Sequence, residues 1–293
     1  METKQKILHN DLAVFITGKT DPYVILEKEV GPAVGAYRKK WELSSKKKKV
    51  FKYPLHLNIE LSYGCNMRCS FCVFSLSKEQ SYYRADPNGN ISFHKYCQII
   101  DEGIREGLCS VALNGYNEPL IKKDIVKYIK YAKEKGILDI SLHTNGLLLT
   151  PKFSSELIIS GLTSILFSID AATKETYNKI RRSDDFAQVV NNIIRFIYIK
   201  KSLNRILPLT RVSFVETKAN IKEFAAFFAF WKDKADYFAL QSFSNPFVGL
   251  SAYKRAEEDY RLKNTPFSIC AGPYQRLTIA CDGNVYPCCS YYG

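Results

Sequence analysis

The sequence predicts an α/β fold: a partial (β/α)6 TIM-like barrel followed by a small C-terminal cysteine-bearing hairpin module. Three observations lead there. Short β-rich runs alternate with longer stretches of helical periodicity from residue 55 to 243, the pattern of βα units around a parallel sheet. Six such runs predict an open, partial barrel. After Phe243 the regularity gives way to a polar, irregular stretch and then to a segment rich in cysteine and turn residues.

Taken in order, residues 1–53 read as an N-terminal extension, broken by Gly31, Pro32 and Gly35 and closing near the lysine run 46–49. The core is expected over 54–245. Its first strand is LHLNIEL at 55–61, which runs directly into the loop YGCNMRCSFC. A helix near 93–106 leads to the strand SVALNG at 110–115. The helix at 121–135 carries Ile121, Ile125, Tyr128 and Ile129 on one face and lysines elsewhere, so one side should pack against a sheet. Gly136 suits its end. DISLHTNG at 139–146 and SILFSID at 164–170 are the third and fourth strands. A helix at 189–201, the strand TRVSFVE at 210–216, a helix at 221–235 and the strand DYFALQSF at 236–243 complete the core. Residues 246–293 form the C-terminal module, where Asp282-Gly283 between Thr278-Ile279 and Val285-Tyr286 predicts a hairpin turn.

With 46% hydrophobic and 13% aromatic residues the composition is that of a folded chain, and no segment reaches the roughly 18 uninterrupted apolar residues of a spanning helix. No membrane span is expected. The N-terminal METKQKILHN carries charges where a secretory signal needs an apolar run, so a cytoplasmic protein is expected. A formal charge of +13 favours anionic partners. Its one dense run lies ahead of the core and outside any recognisable nucleic-acid motif, so nucleic acid is not the expected partner.

In a reducing compartment, thiols serve as metal ligands or core residues more often than in disulfides. Of the nine cysteines, Cys65, Cys69 and Cys72 form one cluster and Cys281, Cys288 and Cys289 a second, with Cys270 just upstream. Cys97 and Cys109 read as core residues. Two metal sites are therefore expected. The C-x3-C-x2-C spacing on one loop lets three thiolates hold three corners of an iron–sulfur cubane, leaving one iron open to an amino-carboxylate chelator. The other reading is zinc, which wants four ligands or three and a water, with His56 or His94 as completions.

Cys65, Cys69, Phe71 and Cys72, in the pattern C-x3-C-x-F-C at the end of a first barrel strand, resemble the signature of the radical S-adenosylmethionine superfamily. The resemblance spans about residues 54–290. It implies a [4Fe-4S] cluster on the three cysteines, S-adenosylmethionine as second cofactor, Phe71 near its adenine, and a 5′-deoxyadenosyl radical that abstracts hydrogen from substrate. NGYNEPL at 114–120 is similar to the family's glycine-rich segment, which implies cofactor binding by Gly115 and Glu118; Asn117 stands where a glycine is usual. Ser168 and Asp170 match an S-x-D at the end of the fourth strand, Arg181 and Arg182 fall where relatives supply a basic partner for the cofactor's carboxylate, and Asn145 closes the third strand. Barrel sites gather at the C-terminal strand ends, where all of these segments fall.

Cys270, Gly283 and Cys288 reproduce C-x12-G-x4-C, similar to the opening half of the SPASM or twitch auxiliary domain. That resemblance implies a second, auxiliary iron–sulfur cluster on Cys270 and Cys288, with Cys281 and Cys289 as further ligands. The sequence stops at Gly293, where family members continue and supply more cysteines, so the set is incomplete here. Relatives with this tail oxidise, epimerise or cross-link sugars or peptides, which implies a substrate such as a phosphorylated or nucleotide-linked sugar or a peptide. It also implies a reductant such as flavodoxin or ferredoxin. Two other readings stand beside the radical oxidoreductase or epimerase: an iron–sulfur electron-transfer protein without radical chemistry, and an RNA-binding scaffold with structural zinc.

Overall fold

The computed structural model describes residues 6–10, 13–17, 20–46, 49–77, 83, 85–243, 245, 250–260 and 271–287. Two short strands open the chain, β1 (Lys6–Asn10) and β2 (Ala13–Thr17), followed by helices α1 (Pro22–Val30) and α2 (Ala33–Ser45). The barrel then alternates: β3 (His56–Ile59), α3 (Phe93–Glu106), β4 (Ser110–Ala112), α4 (Ile125–Glu134), β5 (Asp139–Thr144), α5 (Pro151–Ile159) and β6 (Ser164–Ser168). It continues with α6 (Lys174–Arg181), α7 (Phe186–Ser202), β7 (Leu209–Glu216), α8 (Phe224–Trp231) and β8 (Tyr237–Ser242). Last come α9 (Leu250–Tyr260), inside the stretch expected to be irregular, and the hairpin β9 (Arg276–Ile279) with β10 (Val285–Tyr286).

One sheet runs β1-β2-β8-β7-β6-β5-β4-β3-β9-β10. Every neighbouring pair from β3 to β8 is parallel, which is the predicted six-strand partial barrel. The N-terminal hairpin extends the sheet antiparallel to β8. At the opposite edge β9 lies parallel to β3, pairing His56 with Arg276, and turns back into β10 in the expected register, Ile279 opposite Val285. Among the described residues no pairing joins β1 to β10, so the sheet stays open.

Side chains alternate across a strand, and the two faces of this sheet differ in chemistry. Leu57, Ile59, Val111, Ile140, Leu142, Ile165, Phe167, Val212 and Phe214 join the apolar core under the helices. Their alternates, His56, Asn58, Glu60, Asp139, Ser141, His143, Arg211 and Ser213, line the inner face. The floor of the barrel is covered by α2: Tyr37, Leu55 and Cys109 form a small core there, with Tyr23 and Trp41 against it. The Tyr37 hydroxyl lies 3.0 Å from the Ser110 hydroxyl, and Gln275 Nε2 donates to the Trp41 carbonyl at 3.1 Å. Among the described residues no helix is long and apolar enough to cross a membrane.

Candidate active site

The three cysteines follow β3 on a loop at the C-terminal mouth of the barrel. Gly64 enters it at φ 114°, a conformation that favours glycine. Met67, buried in the main core, anchors the loop, and Nη1 of Arg68 donates to the carbonyls of Cys65 at 2.7 Å and Met67 at 2.9 Å. The backbone then tightens, Cys72 N donating to Cys69 O at 3.0 Å and Ser75 N to Cys72 O at 2.9 Å. Cys69 is buried, while Cys65 and Cys72 are half-buried. Burial pushes the Cys65 thiol up to about 11, and burial followed by the neighbouring Cys69 pushes Cys72 up to about 12. Among the described residues, no group of three or more His, Cys, Asp or Glu side chains converges on a single metal-ion position.

Glu118 enters the same mouth from the end of β4. Its buried carboxylate accepts from Leu120 N at 3.0 Å, from the Thr144 hydroxyl at 2.7 Å and from Asn145 N at 2.8 Å. Burial raises its pKa despite these donors. Asn145 in turn donates from Nδ2 to Asn66 Oδ1 at 2.7 Å, tying the end of β5 to the cysteine loop.

Gly115 and Asn117 explain how the NGYNEPL segment tolerates its missing glycine. A Cβ on Gly115 would meet Glu60 at 2.7–2.8 Å, so it is here that close approach forbids a side chain. Asn117 adds a clamp, accepting from Gly115 N at 3.1 Å and donating from Nδ2 to Ser62 O at 2.8 Å. Glu60 is the residue sequence reasoning missed. Fully buried, it accepts from the main-chain nitrogens of Tyr116 at 3.0 Å and Asn117 at 3.1 Å and from the Tyr83 hydroxyl at 2.8 Å. The signal was the polar alternation His56, Asn58, Glu60 in an otherwise apolar strand.

Ser168 is half-buried at the end of β6. Asp170 is fully buried at φ 62°, accepts from Val215 N at 2.9 Å and is ion-paired with Arg181. Arg181 also donates from Nη1 to the Cys69 sulfur at 3.5 Å. Burial works against its charge, but Asp170 and then Cys69 hold its pKa above the ordinary value. Phe71 is half-buried, edge-on to Phe243 with ring centroids 6.2 Å apart. The structure therefore brings Cys65, Cys69, Cys72, Glu118, Asn145, Asp170 and Arg181 into one bonded neighbourhood.

The second cysteine cluster is divided. Cys270, Cys288 and Cys289 lie outside the described residues. Cys281 is buried in a small core with Val73, Tyr83, Ala85 and Ala280, its thiol 3.8 Å from Asp86 O. Burial, and then the nearby Glu60, pushes that thiol up to about 12. Of the residues without an assignment, His56 shares hydrogen bonds with the Ser110 hydroxyl at 2.7 Å and Asn58 at 3.2 Å. His56 and His143 are only half-buried by surface area, yet burial lowers each to about 3, with Arg276 and Arg211 respectively as the next cause. Both lie on the inner face of the sheet.

The donor set suits an iron–sulfur cluster with a polar organic ligand. Three thiols offer soft ligation. Among the described residues the buried atoms Asn114 Oδ1, after β4, and Arg181 Nε have no hydrogen-bond partner, which leaves an acceptor and a donor for a ligand to satisfy.

Residues 59–210 match the family described as the Radical SAM superfamily. A GTP 3',8-cyclase of Alkaliphilus metalliredigens is 32% identical over 139 residues, covering 47% of this chain and 42% of that protein. A probable GTP 3',8-cyclase of Methanocaldococcus jannaschii is 28% identical over 177 residues, covering 60% and 55%. The match thus spans about half the length of these curated relatives. Among solved structures, Streptococcus suis SuiB bound to the precursor peptide SuiA superposes with a TM-score of 0.61 at 17% identity, covering 97% of this chain and 67% of that one. Native anSMEcpe with bound AdoMet gives 0.59 at 18% identity, covering 81% and 75%. At such identities these two likenesses concern the fold.

Proposed function

The chain belongs to the radical SAM superfamily, whose cofactors are a [4Fe-4S] cluster and S-adenosylmethionine, and from that premise we propose a radical enzyme that takes hydrogen from an anionic small molecule. The observation that carries the reading is the triad: Cys65, Cys69 and Cys72 on one anchored loop at the mouth of the barrel. The chemistry supplied by the bound pair is reductive cleavage of the sulfonium to methionine and a 5′-deoxyadenosyl radical.

The chain's own residues prepare the site. The three thiols give up protons to hold iron, so cluster uptake releases acid. Glu118, desolvated and with room for another donor on its carboxylate, takes the cofactor's ammonium. When the cofactor binds, Gly115 and Asn145 would supply backbone groups around it, Ser168 would meet its carboxylate, and Phe71 with Phe243 would offer a ring pair for adenine. An auxiliary cluster is proposed at Cys270 and Cys288, with Cys281 and Cys289 as the remaining thiols of that end. A flavodoxin- or ferredoxin-type protein supplies electrons.

The anionic substrate is supported by the formal charge of +13. At the floor of the barrel, away from the mouth, Arg38 lies over the Tyr23 ring and Arg276 over Trp41, with Asp139 near them. The relatives named for GTP fit the same chemistry, so a nucleotide or a phosphorylated or nucleotide-linked sugar is the proposed class.

Two measurements test the proposal. After anaerobic reconstitution and reduction, the chain is expected to release 5′-deoxyadenosine from S-adenosylmethionine, and Cys65→Ala, Cys69→Ala or Cys72→Ala to release none. Wild type at the level of these variants, with its cluster loaded, would leave only an iron–sulfur electron-transfer protein, and zinc in place of iron would leave the scaffold reading. For the substrate, GTP serves as probe in calorimetry, and the wild-type chain is expected to bind it. Failure of wild type to bind any nucleotide, with an acidic peptide bound instead, would move the assignment to peptides.

A further inference from the structure

We propose that Arg181 tunes the reduction potential of the cluster by donating a hydrogen bond to the Cys69 sulfur, with Asp170 as the positioning residue that aims it; this rests on the triad being the cluster's ligand set. The geometry is fixed on both sides of the contact. Nη1 of Arg181 lies 3.5 Å from Cys69 Sγ while Nη2 pairs with Asp170. One residue away, Ser70 N donates to Ile180 O at 2.8 Å, joining the cysteine loop main chain to main chain with the end of α6. A turn earlier the Tyr177 hydroxyl reaches the Met67 sulfur at 3.9 Å.

Asp170 is equally constrained. Its φ of 62° is unusual for a residue with a side chain and persists only where neighbours over-determine it. Val215 N donates to Oδ1 at 2.9 Å, and Asn220 Nδ2 donates to its carbonyl at 2.8 Å. With Asp170 at 0% and Arg181 at 8% exposure, neither water nor salt screens the pair effectively.

A guanidinium N–H on a ligand sulfur withdraws charge, and the reduced cluster, one charge more negative, gains more from it than the oxidised one. The contact therefore raises the potential. Asp170, carrying the opposite charge, partly offsets the rise. The two residues should consequently act with opposite sign, which a purely structural pair would not.

The test is an EPR-monitored redox titration of the anaerobically reconstituted full chain without S-adenosylmethionine, with iron and sulfide content as the loading control. Arg181→Gln is expected to shift the midpoint more negative than wild type, Arg181→Lys to fall between them, and Asp170→Asn to shift it more positive. Midpoints unchanged at equal loading, with S-adenosylmethionine affinity reduced in Arg181→Gln, would overturn the proposal and put Arg181 on the cofactor's carboxylate. Should Arg181→Gln lose its cluster, the Asp170→Asn shift decides: positive sustains the proposal, zero or negative overturns it. A wild-type chain without iron or sulfide overturns the triad reading, and this one with it.

Discussion

Glu60 and Gly115 show how much of the site rests on single atoms. The carboxylate is buried where it can gather two backbone nitrogens of the NGYNEPL turn, and that gathering works only because Gly115 has no Cβ. Gly115→Ala is therefore expected to cost about 1–3 kcal/mol through overpacking, read as a lower urea midpoint. It should also weaken S-adenosylmethionine binding; unchanged stability would mean the turn has another way to yield. Asn117, a departure from the family's usual glycine, turns out to hold the turn to Ser62. The places of the cysteine triad and Glu118 at the mouth were legible because their spacing repeats a motif on strand ends. Glu60 was visible only as an alternation, since its backbone partners sit more than fifty residues away in sequence.

The elements that sequence reading missed are those whose packing is remote. α5 begins with Thr150 accepting from Phe153 N at 3.2 Å and Pro151 in its first turn, and α6 with Thr173 accepting from Thr176 N at 3.3 Å; both are start signals that short helices obscure. α9 lay in a stretch read as irregular because its polar face dominates the composition. α2 matters most at this scale, because it covers the floor of the barrel. Tyr37→Phe should lower stability by about 0.5–1.5 kcal/mol, since it removes the bond to Ser110 while His56 still satisfies that hydroxyl. Equilibrium unfolding measures it, and no change would mean that α2 docks by apolar packing alone.

Over the whole molecule, the open sheet separates an apolar face under helices from a polar inner face. Its two depressed histidines make that face sensitive to acid. An unfolded imidazole protonates near 6.5 and these two, folded, at about 3, so between those values the unfolded chain binds more protons. Their contribution is full above pH 6.5 and is lost as pH falls toward 3. The urea midpoint of wild type, measured against a His56→Gln/His143→Gln variant, should decline as pH drops from 7.5 to 5; a constant difference would refute the assignment. By itself the sequence determined the βα alternation, the parallel core, the final hairpin and the cysteine motif, because periodicity, turn chemistry and ligand spacing are local properties of a chain. The tertiary structure alone decided that the hairpins continue the sheet at both edges, that Glu60 organises the mouth, that Cys281 is packed away, and that Arg181 reaches Cys69. Each of those depends on which distant segments the fold brings within hydrogen-bond range, and no local pattern encodes that.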